Sequence, residues 1–186
     1  MTASRRGKLF SAASAAALAC ALLPRWAACA PAKEAEVKAA YIYNFAQFVE
    51  WETPAASSAP AHFDICVLGE DAVSQPLTFL PETLLKGQKT RVKLLGDSEA
   101  GLASCRILFI GRSKQKRAAE IARALRPAGV LTVSDAPRFA ASGGVIGFVT
   151  ENNRVRIAIN LKAARESGLK ISSRLLEVSK LVKEQP

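Results

Sequence analysis

Four cysteines and a single histidine are the side chains of this sequence best suited to act as crosslinks, nucleophiles or metal ligands. Cys66 and Cys105 lie in the body of the chain, and in an oxidising compartment such a pair usually forms a disulfide. That bond would close a loop of about 40 residues and stabilise the fold by roughly 4 kcal/mol. Two buried free thiols are the alternative. With His62 the pair supplies too few ligands for a structural zinc site, so we expect no metal.

Candidate catalytic groups are scattered along the chain rather than clustered. Any hydrolase triad would have to use His62, yet no serine stands in a G-x-S-x-G motif. Gly69-Glu70-Asp71 and Gly111-Arg112-Ser113 follow predicted strands, but neither has the glycine spacing of a nucleotide-binding loop. Asp64 and Asp135 stand at predicted strand ends, where carboxylates are common without a catalytic role. We therefore predict a binding or regulatory protein with no catalytic residue and no cofactor, rather than an enzyme.

The first thirty residues show the order of features that a secretory signal peptide has. A short basic start precedes the apolar stretch 9–23, and Ala28-Cys29-Ala30 offers small residues for cleavage. The apolar stretch is shorter than the roughly 20 residues that a membrane-spanning helix needs. We predict a signal peptide over 1–30 and a single exported domain over 31–186. A lipoprotein or an uncleaved anchor is the alternative.

The positive charge of the chain does not predict a nucleic-acid surface. The formal net charge is +10, but the basic residues are spread along the sequence and no aromatic residues alternate with them. The simplest interpretation of these basic residues is a solvated basic surface, and binding of an acidic partner or of anionic lipid is the alternative. We expect no nucleic-acid partner.

Apolar periodicity and turn residues predict the elements that carry these side chains. We predict helices at 34–50, 74–85, 113–125 and 171–182, and strands at 63–68, 91–95, 106–110, 130–133, 145–150 and 154–159. Because helices and apolar strands alternate, we predict an α/β fold: a three-layer domain with a mainly parallel sheet flanked by helices. The last two strands form a C-terminal antiparallel hairpin through Glu151-Asn152-Asn153.

The first predicted helix is apolar over more than one face. It is therefore either deeply buried or part of a subunit contact. We predict that Tyr41, Phe45, Phe48 and Trp51 contact a partner or a second copy of the chain. The edge of the C-terminal hairpin is a second candidate for an exposed apolar patch.

Five blocks of the sequence resemble the YfiR family. The blocks are 38–51 (KAAYIYNFAQFVEW), 104–110 (SCRILFI), 139–148 (FAASGGVIGF), 154–161 (RVRIAINL) and 168–176 (GLKISSRLL). Together they extend over nearly all of the predicted mature chain. One departure is that Glu52 and Thr53 separate Trp51 from Pro54, where the family tends to place the proline directly after the tryptophan.

The resemblance implies a small periplasmic α/β protein, often dimeric, with a Cys66–Cys105 disulfide that supports folding. It implies a regulator that binds the periplasmic sensor domain of an inner-membrane diguanylate cyclase and holds the enzyme inactive, which lowers cyclic di-GMP. An OmpA-like outer-membrane lipoprotein would sequester the regulator. The alternatives are a periplasmic sensor that binds a small molecule without a cyclase partner, and an exported enzyme of unrecognised type.

Overall fold

The computed structural model describes residues 29–52 and 62–185. The features of the predicted signal peptide up to residue 28 lie outside the described residues. Within the two described ranges, no helix combines the length and hydrophobicity that crossing a bilayer requires.

Five helices and ten strands are found in the described ranges. The helices are α1 (Cys29–Phe48), α2 (Ser74–Thr78), α3 (Ala118–Ala124), α4 (Leu161–Glu166) and α5 (Ser173–Glu177). The strands are β1 (Val49–Trp51), β2 (His62–Leu68), β3 (Leu84–Leu85), β4 (Gln88–Gly96), β5 (Ile107–Ile110), β6 (Leu131–Ser134), β7 (Ile146–Glu151), β8 (Arg154–Ile159), β9 (Leu169–Ile171) and β10 (Lys180–Leu181).

The main sheet is curled and mostly parallel, with the strand order β10-β8-β7-β6-β5-β2-β4-β3. Among the strand pairs of this sheet that the structure describes, only β7–β8 and β3–β4 are antiparallel. The predicted α/β fold with a mainly parallel sheet and an antiparallel hairpin is confirmed. The central order β4-β2-β5-β6-β7 reverses direction between β2 and β5. In open α/β sheets, the crevice outside the carboxyl ends of the strands at this point is the usual place for a ligand.

The two faces of the sheet carry separate apolar cores. Phe63, Ile65 and Val67 of β2 belong to the larger core, which also contains the buried side of α1. Cys66 and Leu68, which point to the opposite face, belong to a smaller core that includes α3. Burial on both faces explains why β2 is a continuous apolar run instead of an alternating one.

The disulfide between Cys66 and Cys105 is formed, with the two Cα atoms 6.0 Å apart. It joins the middle of β2 to the turn that precedes β5, inside the smaller core. The predicted crosslink is therefore confirmed.

The predicted helix over 171–182 is wrong. Ile171 belongs to β9 and pairs with Val49 of β1, so it cannot also be helical. Ser172 then caps α5 by accepting a hydrogen bond from the Leu175 backbone at 3.4 Å, and the helix lasts five residues. The chain continues as β10, which pairs with β8. Tertiary strand pairing thus overrides a helical apolar pattern.

The other three predicted helices also differ in their bounds. The first helix ends at Phe48 because the chain then pairs with β9. The predicted helix 74–85 ends at Thr78, before Pro81, and its last two residues form β3. The predicted helix 113–125 begins only at Ala118, after a 3-10 turn at 112–114.

Candidate functional site

The aromatic residues predicted to contact a partner lie largely inside the domain. Phe45 is 1% exposed and belongs to the larger core, so it is not on the surface of the single chain. Tyr41, Phe48 and Trp51 are half-buried and pack against that core. A contact through these three exposed edges stays a prediction.

An aromatic cluster connects α1 to the C-terminal hairpin. The ring of Phe148 on β7 lies 6.1 Å from Tyr41 and 6.0 Å from Phe45, centroid to centroid. Trp51 packs edge-on against Phe63 at 5.3 Å. Such pairs contribute about 0.5–1.5 kcal/mol beyond the burial of their area. These ring contacts within the single chain therefore hold the hairpin against α1.

A groove of about 440 Å³ lies on the face of the hairpin opposite α1. Its floor includes Gly147 and Ala158, which are directly paired across β7 and β8. Gly147 allows the Ala140 backbone to approach closely, since a Cβ there would lie 3.3 Å from the Ala140 nitrogen, and the small side chain of Ala158 leaves the groove open beside it. Phe139 lies on one side of the groove and Val178 and Val182 of the C-terminal segment lie on the other.

The rim of this groove is unusually apolar for a surface. Val149 and Val178 are 39% and 66% exposed. Both valines line the groove. Clustered exposed apolar side chains next to a hollow are typical of sites that bind a protein or an apolar ligand.

Charged side chains surround the apolar rim. Lys180 Nζ on β10 lies 3.8 Å from Glu151 Oε1 on β7. Arg156 is exposed and makes no ion pair with any described residue. Arg138 hydrogen-bonds Gln185 near the C-terminal end. An apolar centre with a polar border is the usual arrangement of a protein-binding surface.

A second hollow, of about 320 Å³, lies at the carboxyl ends of β2, β5 and β6. Lys38 is buried there, and its Nζ lies 2.8 Å from both Glu34 Oε1 and Asp135 Oδ2. Burial by itself lowers the pKa of Lys38, but the hydrogen bonds to Asp135 and Glu34 outweigh it and the pKa is raised. Asp71 accepts hydrogen bonds from the backbones of Val73 and Arg112, each at 3.0 Å. The polar groups of this hollow are therefore largely used within the protein.

The other carboxylate considered from the sequence, Asp64, also has an internal role. Its oxygens lie 2.7 Å from Arg91 Nε and 2.6 Å from Lys93 Nζ on the neighbouring strand. Asp64 is near the amino end of β2, whereas Asp135 follows the carboxyl end of β6, so the fold does not bring the two carboxylates together. In the described residues, no group of three or more His, Cys, Asp or Glu side chains is placed to hold a metal ion.

The two glycine turns connect strand ends. Gly111 donates its backbone N–H to Leu68 at 2.8 Å, and the Ser113 hydroxyl accepts from the Glu70 backbone at 2.8 Å. A Cβ at Gly69, whose φ is +82°, would come within 2.4 Å of the Ser113 hydroxyl. The glycine is therefore needed for the close approach of the two turns.

Comparison with known families identifies the protein group. Residues 35–180 match the YfiR/HmsC-like family model (DUF4154). The chain belongs to the YfiR/HmsC-like family. The resemblance seen in the sequence blocks is thus confirmed. YfiR/HmsC-like proteins are known as periplasmic regulators of cyclic di-GMP signalling, and their domain is regulatory rather than catalytic.

Solved structures support the fold of this YfiR/HmsC-like chain at low sequence identity. A conserved domain protein from Vibrio cholerae O1 biovar El Tor is 13% identical with a TM-score of 0.51, over 81% of this chain. An ABC domain in complex with L-Trp from Streptococcus pneumoniae is 11% identical with a TM-score of 0.51, over 80% of this chain. The chain spans 60% of each of these structures, and the likeness shows the fold alone. Among curated proteins, none matches the chain.

The YfiR/HmsC-like assignment agrees with the disulfide of the smaller core. A formed disulfide fits the oxidising compartment in which proteins of this family work. The groove residues Phe139 and Val178 were not among the residues predicted from the sequence. One signal for the groove was present in the sequence: the alternation of β8 places Ala158 and Arg156 on its outward face. The C-terminal segment completes the groove, but the sequence pattern predicted a helix there.

Proposed function

We propose that this YfiR/HmsC-like protein acts in the periplasm by binding the sensor domain of an inner-membrane diguanylate cyclase. Binding holds the cyclase inactive and lowers cyclic di-GMP. The observation that carries the proposal is the apolar groove on the hairpin, with the exposed valines Val149 and Val178 at its rim. Family membership supports the regulatory class, and the groove offers a place for the partner.

The groove fits the physical requirements of a reversible regulator. An apolar side chain of the partner can fill the hollow beside Ala158 while the rim side chains lose their contact with water. Complete burial of one exposed valine contributes about 1.5–3 kcal/mol, and about 1.4 kcal/mol is tenfold in affinity. A few such contacts give an affinity that is sufficient for binding and still allows the complex to dissociate.

Release of the cyclase follows if a second protein competes for the regulator. We propose that an OmpA-like outer-membrane lipoprotein sequesters the regulator, so that binding of one partner lowers the fraction of regulator bound to the other.

The protein is proposed to be a homodimer, with the exposed edges of Tyr41, Phe48 and Trp51 at the contact. That contact lies across the sheet from the groove, so dimerisation and cyclase binding need not compete.

Substitutions at the rim test this function. We expect Val178→Glu and Val149→Glu to weaken binding to the purified periplasmic domain of the cyclase by about tenfold or more, because a charge then faces the apolar contact. Cellular cyclic di-GMP should rise accordingly. Val37→Glu is the matched control, since Val37 on α1 is 38% exposed and Val149 is 39% exposed. Unchanged binding and unchanged cyclic di-GMP in both rim variants, with the fold intact, would contradict the proposal.

The volume of the groove supports a second candidate function. A hollow of about 440 Å³ is within the range of small-molecule sites, which is roughly 300–1,000 Å³. The protein would then be a periplasmic sensor in which a small ligand with an apolar body occupies the groove. A ligand screen by thermal shift separates the two functions: a stabilising ligand whose effect disappears in Ala158→Leu, which fills the hollow, would favour the sensor.

A further inference from the structure

The outer edge of β4 is open over more than half of its length. On its inner side β4 pairs with β2 from Lys89 to Gly96. On its outer side β3 pairs only with Gln88 and Lys89, and the last contact is the hydrogen bond from the Thr90 backbone to Thr83 at 3.0 Å. Beyond Thr90, no strand within 29–52 or 62–185 pairs with this edge.

The free backbone groups of this edge face outward. The Thr90 N–H points away from β2, because it donates to Thr83. Backbone groups point to the same side of a strand at every second residue, so the N–H and C=O groups of Val92 and Leu94 also point outward. A row of unpaired groups on an edge strand is a template for another strand.

The side chains along the edge differ between the two faces of the sheet. Lys89, Arg91 and Lys93 lie on one face, and Arg91 and Lys93 share the carboxylate of Asp64. Lys89 is exposed and makes no ion pair with a described residue. On this face one carboxylate therefore pairs with two of the three cations, and Lys89 has no carboxylate partner among the described residues.

The opposite face of the same edge is apolar. Leu94 is exposed there, and Val92 is half-buried against the larger core. Phe79, which directly follows α2, is the most exposed of the large apolar side chains in the described residues. The edge of β4 thus combines free backbone groups, cations on one face and apolar side chains on the other.

We propose that β4 binds an extended segment of a partner protein as an added strand, and that this segment alternates acidic and apolar residues. Because β3 already pairs with Lys89, the segment would begin opposite Arg91. Its carboxylates would lie beside Arg91 and Lys93, with the first also diagonal to the long side chain of Lys89, and its apolar side chains would lie beside Val92 and Leu94. Strand addition of this kind uses backbone hydrogen bonds for affinity and alternate side chains for specificity. The edge lies at the end of the sheet opposite β10 and the groove, so the proposal does not depend on the proposed cyclase binding.

A second copy of the chain is a poor occupant of this edge. If two β4 strands paired with each other, the cations of one would face the cations of the other. Like charges directly opposite in a sheet are destabilising. Charge complementarity therefore favours an acidic partner segment over self-association.

A peptide experiment on the intact mature protein tests the proposal. The probe is a capped heptapeptide of alternating glutamate and valine, and the readout is amide hydrogen exchange by NMR. We expect the Val92 and Leu94 amides to exchange rapidly in the free protein and slowly with the peptide. Lys89→Glu should weaken binding by about fivefold, whereas Lys183→Glu, an exposed cation near the other end of the sheet, should not.

Two control peptides make the outcome decisive. A lysine–valine peptide should give no protection, since its cations would face the cations of β4. A glutamate–valine peptide N-methylated at alternate residues should also give none, since it lacks the backbone N–H donors that would pair with β4. Any of four results would overturn the proposal: no binding of the acidic peptide, equal binding of either control, protection at other amides, or slow exchange of Val92 and Leu94 in the free protein.

Discussion

At the residue scale, Asp64 shows how a buried carboxylate stabilises this fold through the neighbouring strand. It accepts hydrogen bonds from Arg91 Nε at 2.7 Å and Nη2 at 3.0 Å, and Lys93 Nζ lies within 2.6 Å. Burial alone raises the pKa of Asp64, but the hydrogen bonds from the two cations outweigh it. The pKa therefore lies below its ordinary value of 3.8.

Acid unfolding should report on this carboxylate. A lowered pKa means that the contribution of Asp64 is complete above pH 3.8 and is lost as the pH falls through its folded-state value. We expect Asp64→Asn to reduce the free energy of unfolding at neutral pH by about 1–2 kcal/mol and to flatten its dependence on pH below 3.8. Chemical denaturation across the acid range measures both. If the Asp64→Asn variant is as steep in acid as the wild type, this role is excluded.

The disulfide is the other single-residue feature with a measurable effect. We expect Cys66→Ala combined with Cys105→Ala to reduce the free energy of unfolding by about 2–4 kcal/mol, because the unfolded chain is no longer held in a loop. Reductant should lower the melting temperature of the wild-type protein and leave that of the double variant unchanged. If reductant has no effect on the wild type, the crosslink does not stabilise the protein.

At the element scale, short helices depend on their caps. Asn160 precedes α4 and is completely buried; its side chain accepts from the Ala163 backbone at 3.0 Å and donates to the Ala140 carbonyl at 2.8 Å. Ala140 is part of the groove lining, so the cap also connects α4 to the candidate site. Ser172 caps α5 from a half-buried position with a single contact.

The two caps should therefore differ in their effect on stability. We expect Asn160→Ala to cost about 2–3 kcal/mol, since it removes a cap and leaves the Ala140 carbonyl buried without its donor. Ser172→Ala should cost about 1 kcal/mol or less. Thermal or chemical denaturation of the two variants gives the comparison. Equal losses would show that the second hydrogen bond of Asn160 contributes little.

At the scale of the whole molecule, the sheet carries different surfaces at its two ends. The hairpin and β10 provide the apolar groove at one end, and β4 provides an open edge at the other. The aromatic residues of α1 lie between them and are mostly covered by the core. A regulator with two separate surfaces can contact two partners, or two parts of one partner, at the same time.

Self-association is the prediction that belongs to this scale. If the exposed edges of Tyr41, Phe48 and Trp51 form a dimer contact, Phe48→Asp should shift the protein toward the monomer in size-exclusion chromatography with light scattering. Phe48 is half-buried, so the variant must be shown to be folded by circular dichroism. A folded variant with the same mass as the wild type would exclude this contact.

Local pattern was sufficient for much of this fold. The continuous apolar runs of β2 and β5, the asparagine turn between β7 and β8, and the periodic stripe of α1 each predict their element, because their side chains are buried in a regular way. The sequence blocks also placed the chain in its family, and the cysteine pair indicated the disulfide. These features depend on residues that lie close together in the chain or on a pair with few alternatives.

Tertiary contacts decided the rest. Ile171 lies in an apolar pattern suited to a helix, yet it pairs with Val49, which is more than a hundred residues away in the chain. Phe45 is a large aromatic residue of the kind found in protein contacts, but it is buried because β7 places Phe148 against it. The groove exists only because β10 returns beside β8, and the open edge only because β3 ends after two residues. Burial and pairing depend on which segments meet in space, and a local pattern contains no information about that choice.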